Sequence, residues 1–301
     1  MDFFESLNRL NPRICVQQNI PLSRYTTFRV GGPADYFAQI ESEQELTALL
    51  CAAKEAGLDV LLMGNGSNLL VRDGGFRGLA IQIGRAFSSV ERRGDQLYAQ
   101  AGALLSGLSV RARDEGLSGL EFAQGIPGTV GGGVYMNAGA YGGELGALIE
   151  TVRIWDGHEI REVPGADMAF SYRHTRAMDE GWIVLGALFS LQKGDPQAID
   201  AAMRDFAARR REKQPLEYPS AGSFFKRPAG HFAGALIEQA GLKGFSVGGA
   251  QVSEKHAGFL INTGNATARD MLDLMAQVQQ KVFDSFGVHL EPEVRIVGSD
   301  V

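Results

Sequence analysis

The chain has 301 residues, enough for one large domain or two to three modest ones with real cores, and its 45% hydrophobic and 21% charged content is ordinary for a folded protein. A net charge of −6 lacks the electrostatic footprint of nucleic-acid binding. The two cysteines, Cys15 and Cys51, and five scattered histidines exclude a disulfide framework or a metal cluster.

The segment MDFFESLNRL has no basic stretch leading into an apolar one, so no signal peptide is expected. No apolar run approaches the roughly 18 residues of a membrane span. The expectation is a soluble, cytoplasmic protein.

Ser42 and Glu45 have capping-box spacing ahead of a helix whose apolar face is Leu46, Leu49, Leu50 and Ala53, and Gly57 ends it. Val60–Met63 reads as a buried strand that runs straight into Gly64, and a second short strand covers 79–83. Next come a strand over 97–101, a helix over 104–115 and a glycine-rich loop. A hairpin over 151–163 turns at Asp156-Gly157, a dipeptide suited to a type I′ turn. A strand over 182–191 follows, then an Ala- and Arg-rich connector helix over 197–212, with Arg209-Arg210-Arg211 placed on its solvated face.

The last part carries a helix over 232–240 and a strand over 257–262. A helix from Thr267 to Phe286 buries Met271, Leu274, Met275, Val278 and Val282, and a strand over 288–297 ends the chain. Three α+β units result, over 1–85, 86–212 and 213–301, with a ligand lying across the first two.

Glycine marks where that ligand sits. Residues 125–146, GIPGTVGGGVYMNAGAYGGELG, hold nine glycines in 22 positions, and a second glycine turn, GNGSNLL, lies at 64–70. Glycine at this density suits backbone that must approach a ligand closely or take positive φ. Two such loops point to an anionic group held by main-chain N–H donors.

In the first loop, Gly64, Asn65, Gly66, Ser67 and Asn68 can present several donors, but Leu69 stands where a G-x-G-x-x-G fingerprint needs its third glycine. A Rossmann site is therefore a poor fit, and no Walker motif is present. In the second loop, Gly125, Ile126, Pro127, Gly128, Thr129, Gly131 and Gly132 combine a proline-fixed turn with a helix start whose first N–H groups should be free. Ala138, Gly139 and Ala140 leave room for a flat ring against the backbone. Two diphosphate-type loops without a Rossmann motif are the signature of a flavin domain of another design.

RYTTFRVGGPADYF at 24–37, MGNGSNLLV at 63–71, GIPGTVGGGVYMNAGAYG at 125–142, SYRHT at 171–175, AGSFFKRP at 221–228 and LEPEVRIVG at 290–298 occur in this order. Together they resemble the UDP-N-acetylenolpyruvoylglucosamine reductase family over essentially the whole chain. The resemblance implies an α+β fold: an FAD-binding domain of the vanillyl-alcohol-oxidase (PCMH) type in two subdomains, 1–85 and 86–212, and a C-terminal substrate domain, 213–301. It implies non-covalent FAD held by Gly64 to Leu69, Gly125 to Gly132 and Ala138. NADPH would be the electron donor and a nucleotide sugar the substrate, in a monomer of peptidoglycan precursor synthesis that uses no metal.

By the same resemblance, Ser223 is the proton donor to C2 of the enolpyruvyl group, and Arg173 and Glu293 stabilise charge near the substrate carboxylate. Lys213 contacts the nucleotide part, and Arg227 lies at a substrate position where the longer branch of the family carries asparagine. Residues 174–212 contain no tyrosine, which implies the shorter branch, without a tyrosine-bearing loop over the substrate. Two other readings stay open: a flavin oxidase or dehydrogenase on the same scaffold, and a non-catalytic flavin or nucleotide-sugar binding protein.

Overall fold

The computed structural model describes residues 2–300. Helices and short strands alternate through the chain, as the periodicities predict. The helix Glu43–Ala56 starts at Ser42, whose hydroxyl accepts the Glu45 N–H, and it ends at Gly57 in the left-handed conformation. A four-stranded sheet runs in the order Val16–Pro21, Pro33–Ile40, Phe76–Ile83, Val60–Met63.

The described residues form two compact units. The first comprises the residues up to Val16 with Ala38–Asn65 and Ile81–Arg209. Its centre is a five-stranded antiparallel sheet in the order Ile160–Pro164, Ile149–Trp155, Ile183–Ser190, Gln96–Gln100, Val90–Arg93. In Gln96–Gln100 every second residue is buried, the period-2 pattern of a strand with one face on a core. That core joins Leu97, Ala99, Val152, Ile154, Ala187 and Phe189 of the sheet to Leu105 and Leu108 of the helix Leu105–Asp114. Val130 and Val134 of the short helix Val130–Tyr135 complete it, and this helix packs on Ile183–Ser190.

The second unit comprises Gln17–Phe37, Gly66–Ala80 and the residues from Arg210 onward. Its core groups Phe28, Val30 and Leu70 with Phe224, Phe225, Ile237, Leu260, Met271, Leu274, Val278 and Val282. Four of these stand along the helix Ala268–Phe286, which opens on a capping box formed by Thr267 and Asp270. Leu69–Val71 pairs in parallel with Arg295–Val297.

The packing of each unit is discontinuous along the chain. Residues 17–37 and 66–80 join the C-terminal part because Phe28, Val30 and Leu70 complete its core. Local differences have local causes. The strand expected over 288–297 shrinks to Arg295–Val297, which pairs with Leu69–Val71, while Pro292 ahead of it makes only an isolated bridge to Phe225.

Inside the last paired residues of the hairpin at 149–164, Trp155 and Ile160, the Asp156 N–H donates to the Glu159 carbonyl at 3.1 Å, so the tip is Gly157-His158 and not Asp156-Gly157. The Asp156 carboxylate accepts the N–H groups of His158 and Glu159, both at 3.0 Å. The N–H of Glu159, the Arg161 side chain and the N–H of His158 hold its pKa down to about 2. Arg210 is buried, not solvated. It continues the i, i+4, i+7 stripe begun by Ile199, Met203 and Phe206 on the helix Pro196–Lys213.

Candidate active site

In the first unit the two glycine loops meet. The strand Val60–Met63 delivers Gly64 and Asn65 beside Pro127 and Thr129. The Asn65 side chain donates to the Pro127 carbonyl at 2.7 Å, and the Gly64 carbonyl accepts from the Gln82 side chain at 3.0 Å. A Cβ on Gly64 would stand 2.3 Å from the Thr129 hydroxyl, so only glycine allows this approach.

The second loop is itself pinned to the sheet. Leu105 N–H donates to the Gly128 carbonyl at 3.0 Å, and the N–H groups of Val130 and Gly131 donate to Ala103 and Ala101 at 2.7 and 2.8 Å. This corrects the expectation of free N–H groups at the start of that helix. Residues 101–103 prolong the strand Gln96–Gln100, and their carbonyls take the helix's first two donors. Thr129 and Gly131 are buried by this contact, while Asn65, Gly125, Pro127 and Gly132 stay exposed and Gly64, Ile126 and Gly128 are half-buried.

Beyond the helix, Ala138 is buried and donates its N–H to Gly133. Arg173 lies against the same loop: its guanidinium donates to the Gly139 carbonyl at 3.1 Å and to the Asn137 carbonyl at 3.5 Å. Arg173 occupies the tight turn Ser171–His174 with φ at 56°, a conformation that L-residues avoid. Its side chain also rests over the Tyr172 ring, 5.1 Å from the centroid.

In the second unit the remaining part of the first loop meets the other two catalytic candidates. The segment carrying Ser223 runs antiparallel to the one carrying Glu293. Glu293 N–H donates to Phe224 at 2.8 Å, Lys226 N–H donates to Glu291 at 2.8 Å, and Phe225 faces Pro292 across an isolated bridge. Asn68 lies beside them, its side chain donating to the Glu293 carbonyl at 3.1 Å and its own carbonyl accepting from Arg295 N–H at 3.0 Å. Gly66 makes this path possible. Its φ is 61°, and a Cβ there would stand 2.1 Å from the Tyr25 carbonyl oxygen.

Ser223 is exposed and Glu293 half-buried, as are Ser67 and Asn68, while Leu69 is buried in its strand pairing. Lys213 ends the helix Pro196–Lys213 and is exposed. Arg227 is exposed too, its guanidinium 4.5 Å from the centre of the Phe232 ring.

Two further residues escape a reading of the sequence. The side-chain oxygens of Thr27 and Gln124 are buried without a hydrogen-bond partner. Thr27 donates its own N–H to Gly66, and Gln124 precedes Gly125. An unpaired buried oxygen costs about 1–3 kcal/mol, so each invites a ligand group or a water. The residues present therefore fit a dinucleotide such as FAD. Exposed glycine backbone suits its diphosphate, and the Gln124 amide oxygen has acceptor capacity left for a ligand hydroxyl.

Comparison with known proteins agrees. A family model described as an FAD-binding domain matches residues 34–158, and one described as UDP-N-acetylenolpyruvoylglucosamine reductase, C-terminal domain, matches residues 214–297. The UDP-N-acetylenolpyruvoylglucosamine reductase of Clostridium beijerinckii is 48% identical over 286 residues, covering 95% of this chain and 94% of that protein. The same-named protein of Latilactobacillus sakei is 50% identical over 289 residues, covering 96% and 95%. The crystal structure of UDP-N-acetylenolpyruvylglucosamine reductase (MurB) from Thermus caldophilus superposes with a TM-score of 0.83 at 34% identity, covering 95% of this chain and all of that one. The fold is α+β with an FAD-binding domain of the vanillyl-alcohol-oxidase (PCMH) type.

Proposed function

The chain belongs to the UDP-N-acetylenolpyruvoylglucosamine reductase family, and from that premise we propose the reaction and the residues that carry it. It is an FAD-dependent oxidoreductase of peptidoglycan precursor synthesis. The substrate is UDP-N-acetylglucosamine enolpyruvate, the product UDP-N-acetylmuramate and the electron donor NADPH. Residues 1–85 and 86–212 serve FAD binding and 213–301 the substrate. FAD, when bound, supplies the hydride that reaches C3 of the enolpyruvyl group after accepting it from NADPH.

This chain's own residues handle the charge and the proton. Addition at C3 leaves electron density at C2 and on the adjoining carboxylate, which must be met where it develops. Arg173 offers a planar, permanently charged fork that suits a carboxylate, and Glu293 completes the stabilising pair. The Ser223 hydroxyl delivers a proton to C2, so that one hydride and one proton together saturate the double bond. Gly64 to Leu69, Gly125 to Gly132 and Ala138 hold FAD without a covalent link, and neither glycine loop contains a histidine that could tether it. Lys213 and Arg227 contact the nucleotide sugar. The enzyme works as a monomer in the cytoplasm.

The observation that carries this reading is the backbone pairing of 223–226 with 291–293, with Asn68 of the first glycine loop bonded to Glu293. It sets a hydroxyl, an acid and a glycine loop on neighbouring segments. The test is flavin absorbance in an anaerobic cuvette. NADPH should bleach the bound flavin, and UDP-N-acetylglucosamine enolpyruvate should then restore its colour. Bleaching without recovery would leave a flavin reductase with a different acceptor.

A further inference from the structure

Among the described residues of the first unit, four that are not glycine hold positive φ: Asn137 at 47°, Tyr141 at 53°, Ala169 at 49° and Arg173 at 56°. They fall on two segments, 137–141 and 169–173, joined by hydrogen bonds. A side chain's Cβ disfavours this backbone, so such residues persist where surrounding contacts over-determine them, and they cluster at functional sites.

Asn137 sits at the junction. It is fully buried. Its amide nitrogen donates to the Ser171 carbonyl at 2.9 Å, and its amide oxygen accepts the Gly146 N–H at 2.8 Å. Its backbone carbonyl accepts from Arg173 at 3.5 Å, and the Gly139 carbonyl accepts a second guanidinium donor at 3.1 Å. Ser171 and His174 close the turn around Arg173 with reciprocal N–H bonds of 3.0 and 3.2 Å. Buried Thr175 ties the far end of that turn to the Tyr135 carbonyl at 2.7 Å.

Gly146 is fitted to the arrangement as well. A Cβ there would stand 2.6 Å from the Phe170 ring and 3.0 Å from the Asn137 amide oxygen. The amide thus has both functions met, one on the segment of Arg173 and one on the loop that receives the guanidinium. A group satisfied on both sides holds an orientation better than one that packs on a single side.

We propose that Asn137 is a positioning residue for the reduction step: its side-chain amide fixes the turn that carries Arg173 and so sets the plane of the guanidinium that meets the substrate carboxylate. This rests on the role given to Arg173 above. Misplacing a binding group by about 1 Å can slow a reaction on the order of 100-fold. The amide therefore matters to the step in which Arg173 acts and not to flavin reduction.

Asn137→Asp tests this, because it keeps the shape and the acceptor toward Gly146 but opposes a carboxylate oxygen to the Ser171 carbonyl. The variant should retain FAD with an unchanged absorbance spectrum and be reduced by NADPH at about the native rate. Reoxidation of its flavin by UDP-N-acetylglucosamine enolpyruvate should be roughly 10- to 100-fold slower. In an Arg173→Ala background the same substitution should slow reoxidation by less than about threefold, because the group it orients is gone.

Equal slowing in both backgrounds, or parallel loss of both half-reactions, would reduce Asn137 to a structural residue and overturn the proposal. Native reoxidation in Asn137→Asp while Arg173→Ala is slow would overturn it alone. Native reoxidation in Arg173→Ala would remove the role of Arg173 and this inference with it. If Asn137→Asp fails to hold flavin, Asn137→Gly runs the same cycle, since glycine suits a φ of 47°.

Discussion

Ser223 stands on a backbone held from both sides. Phe224 N–H donates to Gly258 at 2.9 Å and the Phe224 carbonyl accepts from Glu293. The exposed hydroxyl is thus carried by fixed main chain, the condition under which a weak acid can protonate a carbon in contact with it. Ser223→Ala is expected to leave flavin reduction by NADPH intact and to slow flavin reoxidation by the enolpyruvyl substrate about 10²–10⁴-fold, read by stopped-flow absorbance. Equal loss in both half-reactions would make the residue structural. At Gly64 the argument is steric. Gly64→Ala places a methyl group 2.3 Å from the Thr129 hydroxyl and must part the two loops. A strain of about 1–3 kcal/mol corresponds to roughly 5- to 150-fold weaker FAD binding, measurable by titrating the apoprotein. In both cases the motif names the residue, but the partner that gives the residue its meaning lies elsewhere in the chain.

At the scale of elements, the helix Ala268–Phe286 receives a second acid at its start. The Asp73 carboxylate accepts the N–H groups of Ala268 and Arg269 at 2.9 and 2.8 Å. A carboxylate there meets orphan donors and the positive end of the helix dipole. Asp73→Ala should cost about 1–2 kcal/mol, seen as a melting temperature lower by a few degrees. His256 backs the Ser223 segment in another way. Its ring Nδ1 accepts the Gly258 N–H at 3.1 Å, and the Gly258 carbonyl accepts from Phe224. Burial pushes its pKa below the ordinary 6.5, and the nearby Lys243 adds to the effect. The folded state therefore favours the neutral ring. This stability is present above pH 6.5 and is lost as pH falls through the lower folded value, because a protonated Nδ1 no longer accepts. His256→Asn, which keeps an acceptor but does not titrate, should flatten the fall in melting temperature between about pH 7 and 5. An equally steep fall in the variant would assign the acid loss to other groups.

At the scale of the whole molecule, FAD should stabilise the folded chain through mass action. At free FAD one hundred times its dissociation constant the gain is about 2.7 kcal/mol, visible as a higher melting temperature. A melting temperature indifferent to added FAD would contradict the assignment of the glycine loops. Much of the architecture was legible beforehand. The helix Glu43–Ala56 with its Ser42 cap, the strand leading into Gly64 and the five buried or half-buried apolar positions of Ala268–Phe286 all follow from local patterns. The composition of the second unit was not. Residues 17–37 and 66–80 leave their chain neighbours to complete its core. Apolar burial depends on which surfaces meet in space, and periodicity carries no record of that.

The sequence by itself determined the two glycine loops, the element order around them and, through its motifs, the family and cofactor. These signals are local: a cap, a period or a turn residue is written in adjacent positions. Only the tertiary structure decided that Gly64 packs on Thr129, that Asn68 reaches Glu293, that the second loop's first helical N–H groups are already taken, and that Asn137 holds the turn of Arg173. Each of these is a hydrogen bond or close approach between residues about 30 to over 200 positions apart, and such pairings exist only once the chain has closed around its cores.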